Sequence, residues 1–159
     1  MHRVLRLEQQ LCGGSSLIVR GLEPGDYDKG YLQLLGQLTR VEHVERRVFE
    51  QRLERMSADT YKIAVIEDVS KGKIVAAATL FVELKFIRGC AICGHIEDVV
   101  VDETYRGQNL GLKIIGQLKT WAKEAGCYKV ILDCGEHNVA FYNKLGFQKK
   151  EVQMACYFQ

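Results

Sequence analysis

The chain has 159 residues, 47% of them hydrophobic and 26% charged, with a net charge of +2. That length suits one domain with a core of its own. The near-balance of charge argues against a dedicated nucleic-acid binder, and no apolar run is long enough to span a bilayer.

Residues 1–15 lack the apolar core of a signal peptide. Val4, Leu5, Leu7 and Leu11 fit a short amphipathic helix, but Gly13-Gly14-Ser15-Ser16 reads as a linker. We therefore expect an N-terminal tail or extension over 1–15 and a single domain over 16–159. "SLIVRGL" (16–22) is a first strand, and Pro24-Gly25-Asp26 turns the chain. A helix is expected over 27–38, ending near Thr39. A second spans 41–56, where Val44, Val48, Phe49, Leu53 and Met56 keep helical spacing. "YKIAVIED" (61–68), a Ser70-Lys71-Gly72-Lys73 turn and "IVAAATLFVEL" (74–84) form a hairpin signal. "GHIEDVVVD" (94–102) is the next strand. A long helix from Asn109 to Ala125 carries the stripe Leu110, Ile114, Ile115, Leu118, Trp121 and Ala122. A strand (127–134), a short helix (138–146) and a last strand (151–158) follow.

The order is thus β-α-α-β-β-β-α-β-α-β. Strand–helix–strand over 94–134 implies a parallel pair with a right-handed crossover, while the earlier hairpin is antiparallel. A mixed α/β sheet with helices against it is expected.

Six cysteines without a secretion signal point to free thiols in a reducing, cytoplasmic compartment. "CAIC" (90–93) near His95 hints at zinc, but no second Cys-x-x-C follows. It reads as a loop or hairpin before a strand, and no metal is expected.

Three places carry chemistry. Glu97 and Asp98 interrupt an apolar strand, and alternation sends them to opposite faces. They mark a functional site, a sheet splay or a subunit contact. Asp133 ends the neighbouring parallel strand, where α/β sheets bind ligands; it also suits an N-cap. Tyr142 is either a core aromatic or an acid toward a leaving group, and Asn138 is a plausible cap for its helix. Finally, "RGQNLG" (106–111) precedes the long helix as an anion cradle would. It lacks the Gly-Lys-Ser/Thr of a P-loop and the Gly-x-Gly-x-x-Gly of a dinucleotide turn. Asn109 stands where a glycine is expected, and asparagine tolerates left-handed geometry better than most residues.

These features resemble the GNAT superfamily of acetyl-CoA-dependent N-acetyltransferases. "LLGQLT", "KFI", "GHIEDVVVD", "GCYKVILDC" and "FYNKLGF", in that order, resemble its glucosamine 6-phosphate N-acetyltransferase branch over about residues 17–158. The resemblance implies a GNAT fold and acetyl-CoA as co-substrate. It also implies acetylation of the 2-amine of glucosamine 6-phosphate on the route to UDP-N-acetylglucosamine. A homodimer with shared sugar sites is implied too.

Residue by residue, the resemblance assigns Gly107 through Gly111 (Gln108, Asn109 and Leu110 between them) and Leu112 to the coenzyme pyrophosphate, with Arg106 supplying charge. The strand Val99-Val100-Val101 pairs with the pantetheine arm, and Asn138 and Tyr142 lie toward the coenzyme. Thr39, Lys85, Phe86, Ile87 and Arg88 reach the sugar phosphate region, Arg88 standing where many members have histidine. Glu97, Asp98 and Val99 contact the sugar, Tyr128 and Lys129 contribute across the dimer, and Asp133 approaches the amine. Tyr157 stands where some members have a phosphate-binding arginine. Glu97, Asp133 and Tyr142 are the expected catalytic groups. The rival readings are a GNAT enzyme for another small amine and a non-catalytic coenzyme A-binding module.

Overall fold

The computed structural model describes residues 9–11, 15–56 and 59–158. In chain order these form β1 (Gln9–Leu11), β2 (Ser15–Gly21), α1 (Tyr31–Leu35), α2 (Arg46–Arg55), β3 (Tyr61–Asp68) and β4 (Lys73–Leu84). A single turn α3 (Ile87–Cys90), β5 (Ile92–Val101), α4 (Leu110–Glu124), β6 (Cys127–Leu132) and α5 (Val139–Asn143) follow. The strands build one sheet in sequence order, antiparallel from β1 to β5 and parallel between β5 and β6.

Strand alternation sorts the core onto two faces. Ala64, Ile66, Ala76, Ala78, Leu80 and Ile96 meet the α4 stripe of Leu110, Ile114, Ile115 and Leu118. Ile63, Val65, Ile74, Ala77 and Val100 face the other way, under Tyr31, Leu34 and Phe49 of α1 and α2. Both faces of β3 and β4 are covered, which is why these strands read as continuous apolar runs.

The strand expected over 127–134 stops at Leu132 and the helix expected over 138–146 covers only Val139–Asn143, and the structure departs more strongly from expectation in four other places. Gln9–Leu11, inside the expected tail, pairs with β2; Val4, Leu5 and Leu7 lie outside the described residues. The first helix is only Tyr31–Leu35, because Pro24–Tyr27 forms a 3-10 turn and Gly30 enters the helix at φ 80°. The second begins at Arg46, since Tyr27 Oη donates to Val44 O at 2.9 Å and pins the extended lead-in. Finally, 151–158 alternates like a strand yet makes no ladder: 148–158 has no regular structure and is exposed throughout. A strand needs an edge to pair with, and alternation alone does not supply one.

Candidate active site

The parallel pair β5–β6 stays in register only as far as Ile96↔Leu132. Beyond it β5 runs on to Val101 with no β6 partner, and β6 has ended. The two strands therefore part at Glu97 and Asp133. A bulge opposite β4 sharpens the parting: Ala77 pairs Val100 and Thr79 pairs Glu97, so Asp98 and Val99 together oppose Ala78. Asp98 takes φ 52° there, a left-handed conformation that costs a non-glycine residue about 1–2 kcal/mol. The adjacent acids in the strand are thus the signature of a bulge at the mouth of a splay.

Glu97 and Asp133 come close enough to repel. Glu97 is open to solvent on one side, yet partial burial of its carboxyl raises its pKa, and Asp133 and Asp98 push it further up; His95 opposes weakly. Such a carboxyl can take a proton from a neighbouring cation. Tyr142 sits half-buried on α5 between the rings of Phe141 (5.0 Å) and Phe147 (5.9 Å). Burial pushes its phenol pKa up, with Cys134 adding to the effect. The phenol consequently stays protonated at neutral pH and remains a donor. Asn138 precedes α5 without a side-chain capping bond.

The loop before α4 has the backbone geometry that suits an anion. Gly107 takes φ 81° and Asn109 φ 60°, so two left-handed residues turn successive N–H groups toward one side. The first backbone bond of α4 joins Lys113 N–H to Asn109 O, which leaves the N–H groups of Leu110, Gly111 and Leu112 ahead of the ladder. At Gly111 a Cβ would lie 2.9 Å from Phe141 Cζ, so α5 packs directly against the start of α4. Arg106 donates from Nε to Val101 O at 3.3 Å, at the end of the splayed strand.

Residues that sequence reasoning did not single out hold this loop. Asp102 Oδ1 accepts from Thr104 N at 2.9 Å and Thr104 Oγ1 at 2.6 Å. Its Oδ2 accepts from Lys73 Nζ at 2.7 Å and Gln37 Nε2 at 3.3 Å. Burial alone would raise the Asp102 pKa, but these bonds, led by Lys73, hold it far below the usual carboxylate range. Tyr105 is buried and donates to Asp68 Oδ2 at 2.6 Å. A capping aspartate and an aromatic in "VVVDETYRG" were the available signals; the partners in 37 and 68–73 are long-range.

The expected sugar-phosphate residues divide. Lys85, Arg88, Tyr128 and Lys129 cluster: Arg88 and Lys129 flank the Tyr128 ring at 5.4 and 5.6 Å, and Lys85 Nζ donates to Glu83 Oε1 at 2.6 Å. Phe86 and Ile87 are exposed beside them. Lys129 pairs with Cys93, four residues before Glu97, so this cluster lies roughly 13 Å along the strand from the splay. Thr39 sits at the far end of the α1 segment, and Tyr157 is exposed in the C-terminal segment. One chain keeps the Lys85–Arg88–Lys129 cluster apart from Glu97 along the strand.

Cys93 and His95 do share a face, and they meet Glu83 with ligand atoms within 4.8 Å of one another. The Glu83 carboxylate is already held by Lys85 and by His95 Nε2 at 2.8 Å, so the group reads as a hydrogen-bonded chain. Cys90 of "CAIC" is exposed and apart from it.

Residues 31–147 match the model of the acetyltransferase (GNAT) family. The chain is 51% identical over 139 residues to glucosamine 6-phosphate N-acetyltransferase 1 of Dictyostelium discoideum, covering 87% of this chain and 88% of that protein. It is 46% identical over 142 residues to glucosamine 6-phosphate N-acetyltransferase of Arabidopsis thaliana, covering 88% and 95%. A crystal structure of the enzyme from Arabidopsis thaliana superposes with a TM-score of 0.88 at 44% identity, covering 91% of this chain and 99% of that one. GNAT acetyltransferases use acetyl-CoA as acetyl donor. The chain belongs to the GNAT acetyltransferase family, in the branch of the glucosamine 6-phosphate N-acetyltransferases.

Proposed function

We infer that the chain transfers the acetyl group of acetyl-CoA to the 2-amine of glucosamine 6-phosphate, on the route to UDP-N-acetylglucosamine, in the cytoplasm. The parting of β5 from β6 beyond Ile96↔Leu132 carries the reading, because it leaves Val99–Val101 as an unpaired edge between the cradle and two opposed carboxylates. The pantetheine arm adds to that edge, and its pyrophosphate meets the N–H groups of 107–112 at the positive end of α4.

The amine arrives as an ammonium. Glu97, with Asp133 beside it, takes the proton. The free amine attacks the thioester carbon, and a β5 N–H near Val99 polarises the carbonyl oxygen. As the C–N bond forms, the C–S bond breaks; the thiolate takes a proton from the Tyr142 phenol, and the proton that the nitrogen sheds on becoming an amide returns to the phenolate. No cysteine nucleophile enters.

The same chain acts as a homodimer in this reading. Val152, Met154, Tyr157 and Phe158 are each more than 85% exposed, and Leu84, Phe86 and Ile87 form a second exposed apolar strip. Two exposed apolar strips of this kind, which a second copy could cover, support that assembly. A partner would also bring a Lys85–Arg88–Lys129 cluster toward the sugar phosphate, which one chain keeps apart from Glu97.

Release of coenzyme A thiol from acetyl-CoA tests the function. Glucosamine 6-phosphate is expected to support it at least 100-fold better in kcat/KM than glucosamine or spermidine. Preference for spermidine would favour another amine as acceptor, and no release with any amine would favour a binding module.

A further inference from the structure

The coenzyme loop and the segment carrying Thr39 are joined by one side chain. Gln37 lies just past the C-terminal end of α1, two residues before Thr39. Its Oε1 accepts from Glu103 N–H at 2.9 Å, and its Nε2 donates to Asp102 Oδ2 at 3.3 Å. The amide therefore clamps the turn from both polar ends, 66 residues away in sequence from Glu103. That turn, 102–105, leads directly into Arg106 and Gly107. On its other side it is locked by Lys73 on Asp102 and by Asp68 on Tyr105, with Lys71 Nζ donating to Tyr105 Oη at 2.8 Å. The turn is thus tied to the β3–β4 hairpin at Asp102 and Tyr105, and Gln37 ties it to the α1 segment. Backbone bonds carry the constraint onward: Gln37, Leu38 and Thr39 N–H groups donate to Leu34 O, Leu35 O and Leu35 O, so the peptide up to Thr39 moves with the end of α1.

We propose that Gln37 is a positioning residue that couples the two substrate sites: an occupied coenzyme loop fixes the 102–105 turn, and through Gln37 that turn sets the segment that meets the sugar phosphate. The proposal rests on the function given above, since it needs the cradle to hold the coenzyme and Thr39 to lie at the sugar. Gln37 touches neither substrate. Its loss leaves each site able to bind alone and removes only the communication between them, which by linkage is equal in both directions.

Titration calorimetry of glucosamine 6-phosphate, with and without saturating coenzyme A, reads the coupling. In the unaltered chain coenzyme A is expected to tighten the sugar roughly five- to twentyfold. In Gln37→Met, which keeps the side-chain length and removes both polar atoms, that factor is expected to fall below about twofold. The side chain is exposed, and Lys73 and Thr104 still hold Asp102 in the variant, so the melting temperature should stay as in the parent and the affinity for coenzyme A alone within about threefold. In steady state the sugar KM should rise at saturating acetyl-CoA while kcat changes less than about twofold. Full coupling retained in Gln37→Met, or none in an unaltered chain that turns over substrate, overturns the proposal alone. Absence of sugar binding by an unaltered chain that still binds coenzyme A overturns the sugar reading and this proposal together.

Discussion

Tyr142 and Glu97 owe their chemistry to partial burial acting in the same direction on two different acids. Burial raises the Tyr142 phenol, so it keeps its proton at neutral pH, as the proposed role toward a thiolate needs. Tyr142→Phe should lower kcat roughly 10- to 100-fold, the worth of one hydrogen bond to a charged leaving group, with the acetyl-CoA KM changed less than about twofold. Unchanged turnover would remove the role. At Glu97 burial and the neighbouring Asp133 raise the carboxyl, so the ionised form is disfavoured in the folded chain. Its favourable contribution is present at low pH and lost as pH rises through the folded-state pKa. Glu97→Gln should therefore cut turnover roughly 100-fold or more while melting slightly higher at neutral pH, by on the order of 1 °C given the exposure of the group. Melts from pH 5 to 8 should show the variant's advantage growing with pH; an advantage that shrinks would contradict the shift.

At the scale of elements, the loop entering α4 depends on two left-handed residues rather than on a particular count of glycines. Asn109 at φ 60° does what a glycine would do there. Asn109→Gly should leave the coenzyme A dissociation constant within about twofold, whereas Asn109→Val places a β-branched residue in that conformation and should weaken binding roughly tenfold. Calorimetry with coenzyme A distinguishes the two, and a valine variant that binds normally would count against the cradle. The α4 stripe was legible because Leu110, Ile114, Ile115 and Leu118 repeat at the helical period and are buried as that period requires. Residues 40–45 were not legible: Val44 fits the spacing of α2, yet its carbonyl accepts from Tyr27 and the helix starts after it. A hydrogen bond across 17 residues overrode a local pattern.

For the whole molecule, the unpaired segment 148–158 and the open outer edge of β6 are the same fact seen from two sides. Val152, Met154 and Phe158 alternate in sequence, and among the described residues each is more than 85% exposed. Replacing Val152 and Met154 together by serine should shift a dimer to monomer in sedimentation at micromolar concentration. The sugar KM should rise severalfold, with coenzyme A affinity kept within about twofold, because the cradle lies within one chain. An unaltered chain that sediments as a monomer would remove the shared-site assembly.

The amino-acid pattern alone determined the mixed sheet, the parallel pair at 94–134, the helix behind the cradle and the misplaced acids at Glu97 and Asp98. Each is a local periodicity or a violation of one, and periodicity is written in neighbouring residues. Tertiary structure decided how far β5 and β6 stay paired. It also decided that Glu97 and Asp133 face each other, that Gln37 reaches Asp102, and that Lys85, Arg88 and Lys129 gather roughly 13 Å from the splay. These depend on which strand edges meet and where pairing stops, a balance of long-range contacts against chain closure that no short window of sequence contains.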